Sequence, residues 1–303
     1  MDSRPLQETG VRYFLEVVRC GSITAASERL NVGASAISRQ IATLEEHLGA
    51  ALFERHARGM VPSSAGEVLA AYAYKAAQDA DRVAKEIQAL SGLKTGLIRL
   101  CSTEGMAMEF VPRAMLDFQK RYPGVQFELD VGETFDVSRR LREGDADVGL
   151  TFSRVAEKDI KVEYSQRSAI MAVMRPTHPL SGAERVTLQQ MAAYPLALPP
   201  VSTTIRQLFD IACSARAIAI VPALCSNSAS AVYDFVANSD AITLSGRVAV
   251  SHRMAAGTLA AVPVRERGMA QRDIEIQTLA GRSLPGLVQE FVSFLATRLA
   301  PLG

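Results

Sequence analysis

The fold of the first part of this chain is decided by the stretch Ser22-Ile-Thr-Ala-Ala-Ser-Glu-Arg-Leu-Asn-Val-Gly-Ala-Ser-Ala-Ile-Ser-Arg-Gln-Ile-Ala-Thr-Leu-Glu-Glu-His-Leu48. It holds two short amphipathic segments on either side of a turn, Asn31-Val32-Gly33. In the second segment apolar residues recur at spacings of four, three and four, which predicts one inward-packing helical stripe of Ile37, Ile41, Leu44 and Leu48. Two such helices joined by a tight turn predict a helix-turn-helix.

The opposite face of the second helix carries small polar residues and one cation. Ser35, Ser38 and Arg39 share this face, and Ala34 begins the helix. A DNA major groove admits one α-helix, and short hydroxyls and a guanidinium group can reach phosphates and base edges. The pattern therefore indicates a DNA-reading helix, and the alternative is an ordinary three-helix bundle with a solvated face.

The residues after Gly49 predict a wing beside these helices. A short apolar strand is followed by a basic turn at 55–59, which contains Arg55 and Arg58, and by a return that Pro62 bounds. Residues 6–66 resemble the winged helix-turn-helix of LysR-type transcriptional regulators. The resemblance is carried by Tyr13-Phe14, Gly21-Ser22, Ser38-Arg39-Gln40-Ile41, Leu44-Glu45, Leu48-Gly49, Leu52-Phe53-Glu54-Arg55 and Ala65-Gly66.

The resemblance implies a DNA-binding domain over residues 1–63 and double-stranded DNA as a partner. This chain has Gly33, Ala34 and Ser35 where the family usually places a hydroxyl residue, Gln and Pro, so an amide that reads adenine is missing. We expect contacts that position phosphates more than contacts that read bases. The expected DNA-contact residues are Ser22, Ala34, Ser35, Ser38, Arg39, Arg55 and Arg58.

The charge balance excludes binding by bulk charge. The chain carries a net charge of +1, and seven arginines are balanced by seven acidic residues up to Pro62. Affinity for DNA must therefore come from local placement of cations, doubled by dimerisation.

Residues 64–91 predict one long helix, because the segment is rich in alanine and charged residues and has no internal proline. Apolar and small residues recur along it at heptad-like spacings, which is typical of a seam that packs on a partner helix. By resemblance this is the linker through which LysR-type regulators pair antiparallel, which implies a homodimer and further a homotetramer. A surface helix of its own domain is the alternative. The expected dimerisation residues are Leu69, Tyr72, Ala76, Val83, Ile87 and Leu90.

From residue 92 onward strands alternate with helices, which predicts an α/β effector domain with a parallel sheet. We predict a helix over 105–121 and strands over 217–221 and 241–250. Lobe I is expected to span about 92–163 and 267–303, and lobe II about 164–266. The whole chain is thus an α/β multidomain protein, and its two-lobed C-terminal domain resembles the periplasmic-binding-protein architecture.

Hydroxyl-rich segments follow several predicted strands and open several helices, where ligands of open α/β sheets bind. Helix capping is the alternative role for each of these residues. Their convergence predicts a small-molecule effector, either an organic anion or, because two carboxylates lie nearby, an amino-acid-like zwitterion. The expected effector-binding residues are Ser102, Thr103, Glu104, Glu133, Thr134, Thr151, Ser202, Thr203, Thr204, Ser226 and Asn227.

Three other functions are weaker on sequence grounds. A redox sensor that uses Cys213 and Cys225 is the main alternative, although no flanking residue indicates a lowered thiol pKa. For a soluble α/β enzyme we expect a nucleophile or phosphate-loop motif, but the sequence shows none and its four histidines are dispersed. For an exported solute-binding protein we expect an N-terminal signal peptide, which the sequence does not show. We therefore expect no catalytic residues, no metal, no cofactor and no membrane association, and a cytoplasmic location.

Overall fold

The computed structural model of the chain describes residues 7–56, 59–89, 95–153, 157–270 and 272–302. Arg58 and Leu90, two of the expected site residues, lie outside this part, as does the side chain of Arg55. The chain forms two compact units, Met1–Leu93 with Gly281–Pro285, and Lys94–Ala280 with Gly286–Gly303. Within the described ranges, we find no helix that is both long enough and apolar enough to cross a membrane.

The N-terminal unit is a winged helix-turn-helix followed by a long helix. Its elements are α1 (Thr9–Cys20), α2 (Ile23–Leu30), α3 (Ala34–Leu48), β1 (Phe53–His56), β2 (Gly59–Pro62) and α4 (Ser64–Ala89). Asn31 ends α2 in the left-handed conformation at φ 54°, which makes the tight turn between α2 and α3. The Ser22 side chain caps α2, whereas Gly33 offers α3 no side-chain cap.

The core of this unit is built on the inner face of α1. Phe14 is fully buried and packs on Phe53 of the wing at 5.1 Å between ring centroids. Ile37 and Ile41 of α3 are buried in the same cluster. The predicted inward stripe is wrong at Leu48, which is 54% exposed, because it is the last residue of α3 and Gly49 turns the chain away there.

The wing is held against the start of α2. Strands β1 and β2 pair antiparallel, and the Met60 N–H donates to the Gly21 carbonyl at 2.9 Å. Gly59 adopts φ 126°, and a Cβ there would lie 2.6 Å from the Gly21 oxygen. The close approach of these two backbones therefore requires glycine at position 59.

Helix α4 divides its residues between the core of the unit and solvent. Ala70 and Ala73 are buried, and Leu69 packs partly against the helix-turn-helix core. Leu69 is half-buried, and its neighbour Val68 is 75% exposed. Of the other expected dimerisation residues, Tyr72 and Ile87 are exposed and Ala76 and Val83 are half-buried.

The C-terminal unit consists of two lobes. The first lobe begins with β3 (Gly96–Ser102), α5 (Glu104–Ala107), α6 (Phe110–Arg121), β4 (Val125–Val131), α7 (Thr134–Glu143), β5 (Val148–Ser153) and β6 (Ile160–Arg167). The second contains β7 (Ile170–Met174), α8 (Leu188–Met191), β8 (Ala197–Leu198), α9 (Thr204–Ser214), β9 (Leu224–Cys225), α10 (Ala229–Ala237), β10 (Thr243–Gly246), α11 (Arg247–Ala255) and β11 (Ala260–Pro263). A short 3-10 helix, Arg267–Ala270, leads back to the first lobe, which β12 (Asp273–Leu279) and α12 (Gly286–Leu299) complete.

The first lobe is built on a five-stranded sheet in the order β4-β3-β5-β12-β6. Strand β3 pairs in parallel with β4 and β5, as the strand-helix-strand pattern predicts, whereas β12 is antiparallel to both of its neighbours. The returning chain therefore inserts a strand into the middle of the sheet. The expected parallel pairing is found among β3, β4 and β5, and β6 runs in the same direction as these strands but is separated from them by the antiparallel β12.

The second lobe is built on an antiparallel sheet in the order β10-β7-β11. All five residues of β7 are buried, and they alternate between two apolar clusters. Ile170, Ala172 and Met174 face one cluster, and Met171 and Val173 face the other. A strand that is covered on both faces reads as a continuous apolar run, as β7 does.

Several predicted elements differ from the structure. The helix expected over 105–121 is broken at Met108 and Glu109 into α5 and α6. No strand covers 217–221, because Ala217 has a φ of 53° after the end of α9, and the strand β9 comes later. Residues 247–250 form the start of the helix α11, since a short buried apolar run is compatible with either structure.

The boundary between the lobes also lies a few residues from the expected positions. Strand β6 stays in the first sheet through Arg167, so the second lobe begins after 167 rather than at about 164. On the return, Met269 still packs in the core of the second lobe, beyond the expected boundary at 266.

The junction between the wing and α4 gives a test of this packing. A Cβ at Gly66 would overlap the Leu52 carbonyl oxygen and press on Pro62 at 3.2 Å. We expect Gly66→Ala to destabilise the N-terminal unit by roughly 1–3 kcal/mol, as overpacking does. The measurement is scanning calorimetry of the full chain. Gly182→Ala is the matched control, because a Cβ at Gly182 meets no heavy atom within 4 Å; equal transitions for both variants would contradict this packing.

Candidate functional site

The exposed face of α3 carries the polar residues that the sequence predicted. Ala34, Ser35, Ser38 and Arg39 are all exposed, while Ile37 on the other face is fully buried. Within the described part of the chain, the hydroxyls of Ser35 and Ser38 and the guanidinium group of Arg39 have no partner. This face therefore presents two hydroxyls and one unneutralised cation to solvent, which suits a nucleic-acid contact.

Two other arginines of the same unit share one carboxylate. The buried Glu16 of α1 pairs with Arg29 at 3.0 Å and with Arg19 at 3.8 Å, and the Arg19 guanidinium also lies 5.3 Å from the Tyr74 ring centroid. Arg39 thus differs from both in having its charge free. A net charge near zero for this unit is therefore compatible with a locally unpaired cation, Arg39, on α3.

The remaining expected DNA-contact residues are Ser22 and the wing arginines, Arg55 and Arg58. The half-buried Ser22 accepts a hydrogen bond from the Ala25 N–H at 3.5 Å, so its hydroxyl serves as the cap of α2. The backbone of Arg55 lies in β1. The side chains of Arg55 and Arg58 fall outside the described part.

A cavity of about 430 Å³ lies between the two lobes of the C-terminal unit. It is lined by α5, α7, α9 and α10 at their N-terminal ends and by residues of β10 and α11. The hydroxyl-rich segments that the sequence predicted at strand ends meet here. The expected effector residues that line the cavity are Thr103, Glu104, Glu133, Thr134, Ser202, Thr203, Thr204, Ser226 and Asn227.

Two expected effector residues do not line the cavity. Ser102 is fully buried at the end of β3, where its hydroxyl donates to the Thr103 carbonyl at 3.2 Å. Thr151 is fully buried in β5, where its hydroxyl donates to the Thr134 hydroxyl at 3.1 Å. The prediction is wrong for both, because a strand sends alternate side chains to opposite faces and these two positions point into packed protein.

The two carboxylates at the cavity bridge the lobes. Glu104 accepts a hydrogen bond from the Ala229 N–H at 2.8 Å, and Glu133 accepts one from the Ser202 hydroxyl at 2.7 Å. Burial raises the pKa of Glu104 above its usual range, although the Ala229 N–H opposes this rise. Both carboxylates are therefore already engaged across the cleft rather than pointing at a ligand amine.

A third bridge joins the lobes behind the cavity. Glu109, at the start of α6, pairs with Arg253 of α11 at 3.1 Å, and the Arg253 guanidinium lies 5.3 Å from the Tyr233 ring centroid. Tyr233 is buried, and its hydroxyl shares a 2.7 Å hydrogen bond with Ser245. Three polar links thus hold the lobes in their present arrangement.

The cavity also contains a cation that sequence reasoning missed. Arg272, just before β12, is 3% exposed, and its guanidinium lies 4.0 Å from the Phe152 ring centroid. Burial lowers the pKa of Arg272 to about 10, so the group remains charged at neutral pH. A rule based on strand ends and helix starts cannot find it, since Arg272 lies on the segment that returns from one lobe to the other.

The cysteines do not form a prepared redox pair. All four are free; Cys213 is buried in the second-lobe core, and Cys225 is exposed, with its Sγ 3.9 Å from the Pro199 oxygen. Burial raises the pKa of Cys213 to about 11. A thiol with such a pKa is a poor nucleophile near neutral pH.

Comparisons with known proteins agree with this division. Residues 9–67 match the model of the bacterial regulatory helix-turn-helix protein of the lysR family, and residues 91–300 match the LysR substrate binding domain. Among curated proteins, the chain is 28% identical over 281 residues to the SDS degradation transcriptional activation protein of a Pseudomonas strain, which is 90% of each chain. Two other curated relatives match over 182 residues, so the matches span 62% and 60% of the lengths of those proteins.

Two solved structures share the fold along nearly the whole chain. A full-length OxyR variant from Pseudomonas aeruginosa superposes with a TM-score of 0.72 at 18% identity, covering 97% of this chain and 95% of that one. Full-length CbnR complexed with its target DNA superposes with a TM-score of 0.59 at 18% identity, covering 98% and 100%.

The environment of Cys213 predicts slow, strongly pH-dependent chemistry. At pH 8 a thiol of pKa about 11 is ionised in about one molecule in a thousand, and this fraction rises about tenfold per pH unit. We expect iodoacetamide to alkylate Cys225 well before Cys213 in the native chain, as read by mass spectrometry, with the denatured chain as control. A Cys213–Cys225 disulfide after peroxide treatment of the native protein would contradict this.

Proposed function

Because the chain belongs to the LysR family of bacterial regulators, we propose that it is a sequence-specific DNA-binding transcriptional regulator controlled by a small-molecule effector. The observation that carries the DNA-binding half is the exposed polar face of α3 with its unpaired Arg39. The observation that supports effector control is the cavity between two lobes that polar links join. Relatives of the chain are transcriptional regulators, and we propose no catalytic activity for it.

The contacts with DNA are assigned to α3 and the wing. We propose that Ser35, Ser38 and Arg39 enter the major groove while Ser22 and Ala34 lie at the nearby backbone. Arg55 and Arg58 are proposed to contact the phosphates that flank the groove. The presence of Gly33, Ala34 and Ser35 at the start of α3 leaves shape and phosphate positioning as the main sources of specificity.

The assembly is proposed to be a homodimer through α4 that pairs further into a homotetramer. Exposed apolar side chains on a long helix favour burial against a second copy, and Val68, Tyr72 and Ile87 are such residues here. A two-fold axis perpendicular to this helix, as antiparallel pairing requires, presents two reading heads to a pseudo-palindromic site. This doubles the phosphate contacts of a unit that has almost no net charge.

Control is proposed to act through the arrangement of the lobes. A ligand shifts an equilibrium between two arrangements only by its differential affinity for them. An effector that contacts Thr103 or Thr134 of one lobe and Thr203, Thr204 or Asn227 of the other meets this requirement. An organic anion is the first effector class, and an amino-acid-like ligand is the second.

Catalysis and redox sensing are supported less well. In the described ranges, no three His, Cys, Asp or Glu residues form a group able to hold a metal ion. The buried thiol of Cys213 argues against a peroxide-reactive pair. Both alternatives therefore rest on fewer observations than effector control.

The role of α3 can be tested by removing its free cation. We expect Arg39→Ala to weaken operator binding by about 1–3 kcal/mol if the guanidinium reads a guanine, which is the cost of one bidentate contact. The operator is first identified by genomic footprinting of the tagged protein, and affinity is then measured by fluorescence anisotropy. Arg185→Ala is the matched control, since Arg185 is an exposed arginine of the other unit; unchanged affinity for Arg39→Ala would refute the assignment.

The coupling of ligand to DNA gives a second test. Carboxylates and amino acids are screened for ligands that raise the Tm of the full chain. A ligand found in this way is expected to change the DNase protection pattern at the operator, because it redistributes the two arrangements of the lobes. A compound of the same series that leaves the Tm unchanged is the control. Identical footprints and affinities at saturating ligand would rule out effector control.

A further inference from the structure

Arg272 lies where the chain crosses between the two lobes. One crossing runs from β6 to β7 through Ser168, and the other runs from β11 to β12 through Arg272. The Ser168 N–H donates to the Arg272 carbonyl at 3.0 Å, so the two crossings are joined at this point. The side chain of Arg272 therefore projects from the hinge, and it lines the cavity between the lobes.

The charge of Arg272 is not compensated by protein. The residue is 3% exposed, no carboxylate pairs with it among the described residues, and its Nε and Nη2 have no hydrogen-bond partner there. The Phe152 ring attracts the guanidinium through its quadrupole but accepts no conventional hydrogen bond. Buried charges in proteins are normally paired or functional, so this one requires an explanation.

Two further side chains at the same cavity also have buried polar atoms for which the described residues supply no hydrogen-bond partner. The hydroxyl of Thr103, which follows β3 in the first lobe, and that of Thr243, which begins β10 in the second lobe, are buried and have no hydrogen-bond partner in the described part of the chain. Unpaired donors thus come from the hinge and from both lobes. A guanidinium and two hydroxyls together select an acceptor that carries negative charge.

The backbone is fitted to the guanidinium group. A Cβ at Gly246 would lie 2.9 Å from Nη2 of Arg272 and 3.2 Å from the Ser168 hydroxyl. Gly246 has an ordinary φ of −89°, so backbone conformation does not require glycine there. A side chain at position 246 would therefore crowd both the Arg272 guanidinium group and the Ser168 hydroxyl.

The cavity lining also includes the apolar side chains Ile205, Val232, Leu244 and Ala249. We propose, resting on the function proposed above, that Arg272 is the anchor for the effector and that the effector is a small carboxylate with an apolar body. The carboxylate pairs with the guanidinium and accepts hydrogen bonds from Thr103 and Thr243. It thereby contacts the hinge and both lobes at once.

The same geometry couples binding to movement. Nε and Nη2 are enclosed by protein in the present arrangement of the lobes. A carboxylate that uses them as a bidentate fork reaches them only when the second lobe, including Gly246, shifts relative to the hinge. Binding and lobe movement are then one event, as effector control requires.

The test uses the full chain and sodium benzoate as the probe, with benzamide as its neutral isostere and sodium chloride at equal ionic strength as the salt control. We expect benzoate alone to raise the Tm of the wild type. Arg272→Met is expected to abolish this rise and to weaken benzoate binding by about 10- to 100-fold in titration calorimetry, as the loss of a charge-assisted pair implies. Stabilisation by benzamide equal to that by benzoate, or no stabilisation by either, would overturn the proposal.

Two measurements separate a binding role from a structural one. Without probe, Arg272→Met is expected to be as stable as the wild type or more stable, since a methionine removes an uncompensated buried charge. Gly246→Ala keeps the charge but displaces the guanidinium group, and it should also lose the response to benzoate, whereas Gly182→Ala should keep it. A destabilised Arg272→Met chain that still responds to benzoate would assign Arg272 a structural role and overturn the proposal.

Operator footprints distinguish this proposal from effector control itself. If benzoate binding depends on Arg272 but never alters the protection pattern, effector control fails and the carboxylate anchor stands. If benzoate alters the pattern equally in the wild type and in Arg272→Met, effector control stands and the anchor is overturned.

Discussion

The C-terminal unit depends on a double crossing of the chain between its lobes. Strand β12 returns from the second lobe and inserts between β5 and β6, so the first sheet is incomplete until the whole second lobe has been made. The lobes are therefore covalently joined twice, and the hydrogen bond between Ser168 and Arg272 ties the two connections together. Such lobes can rotate about a hinge but cannot separate, which is the mechanical requirement for a cleft that opens and closes.

Elements with a long, regular pattern could be predicted from the sequence. The helices α3 and α4 follow from their apolar spacing, and β3 to β5 follow from strand runs separated by turn residues. The errors fall on short buried runs, such as Val248 to Val250, where a buried helix and a buried strand have the same composition. Leu48 was misplaced because periodicity gives a face of a helix but not what covers it.

The candidate effector site was predictable only in part, and for a physical reason. Hydroxyls at strand ends can be found by rule, and nine of the eleven expected residues line the cavity. Ser102 and Thr151 point the other way because strand register sets their faces. Arg272 follows no local rule, since its burial is a product of the returning crossover. Sites that break local consistency are often those that sequence patterns miss.

The weak start of α3 has a consequence for how the chain meets its partner. Gly33 contributes no side-chain oxygen, so the first backbone N–H groups of α3, those of Ala34 and Ser35, receive no side-chain cap. These groups lie at the positive end of the helix dipole, where an anion is stabilised. A nucleic-acid phosphate would be their first strong acceptor. In the proposed complex, α3 would thus gain its missing cap from the DNA.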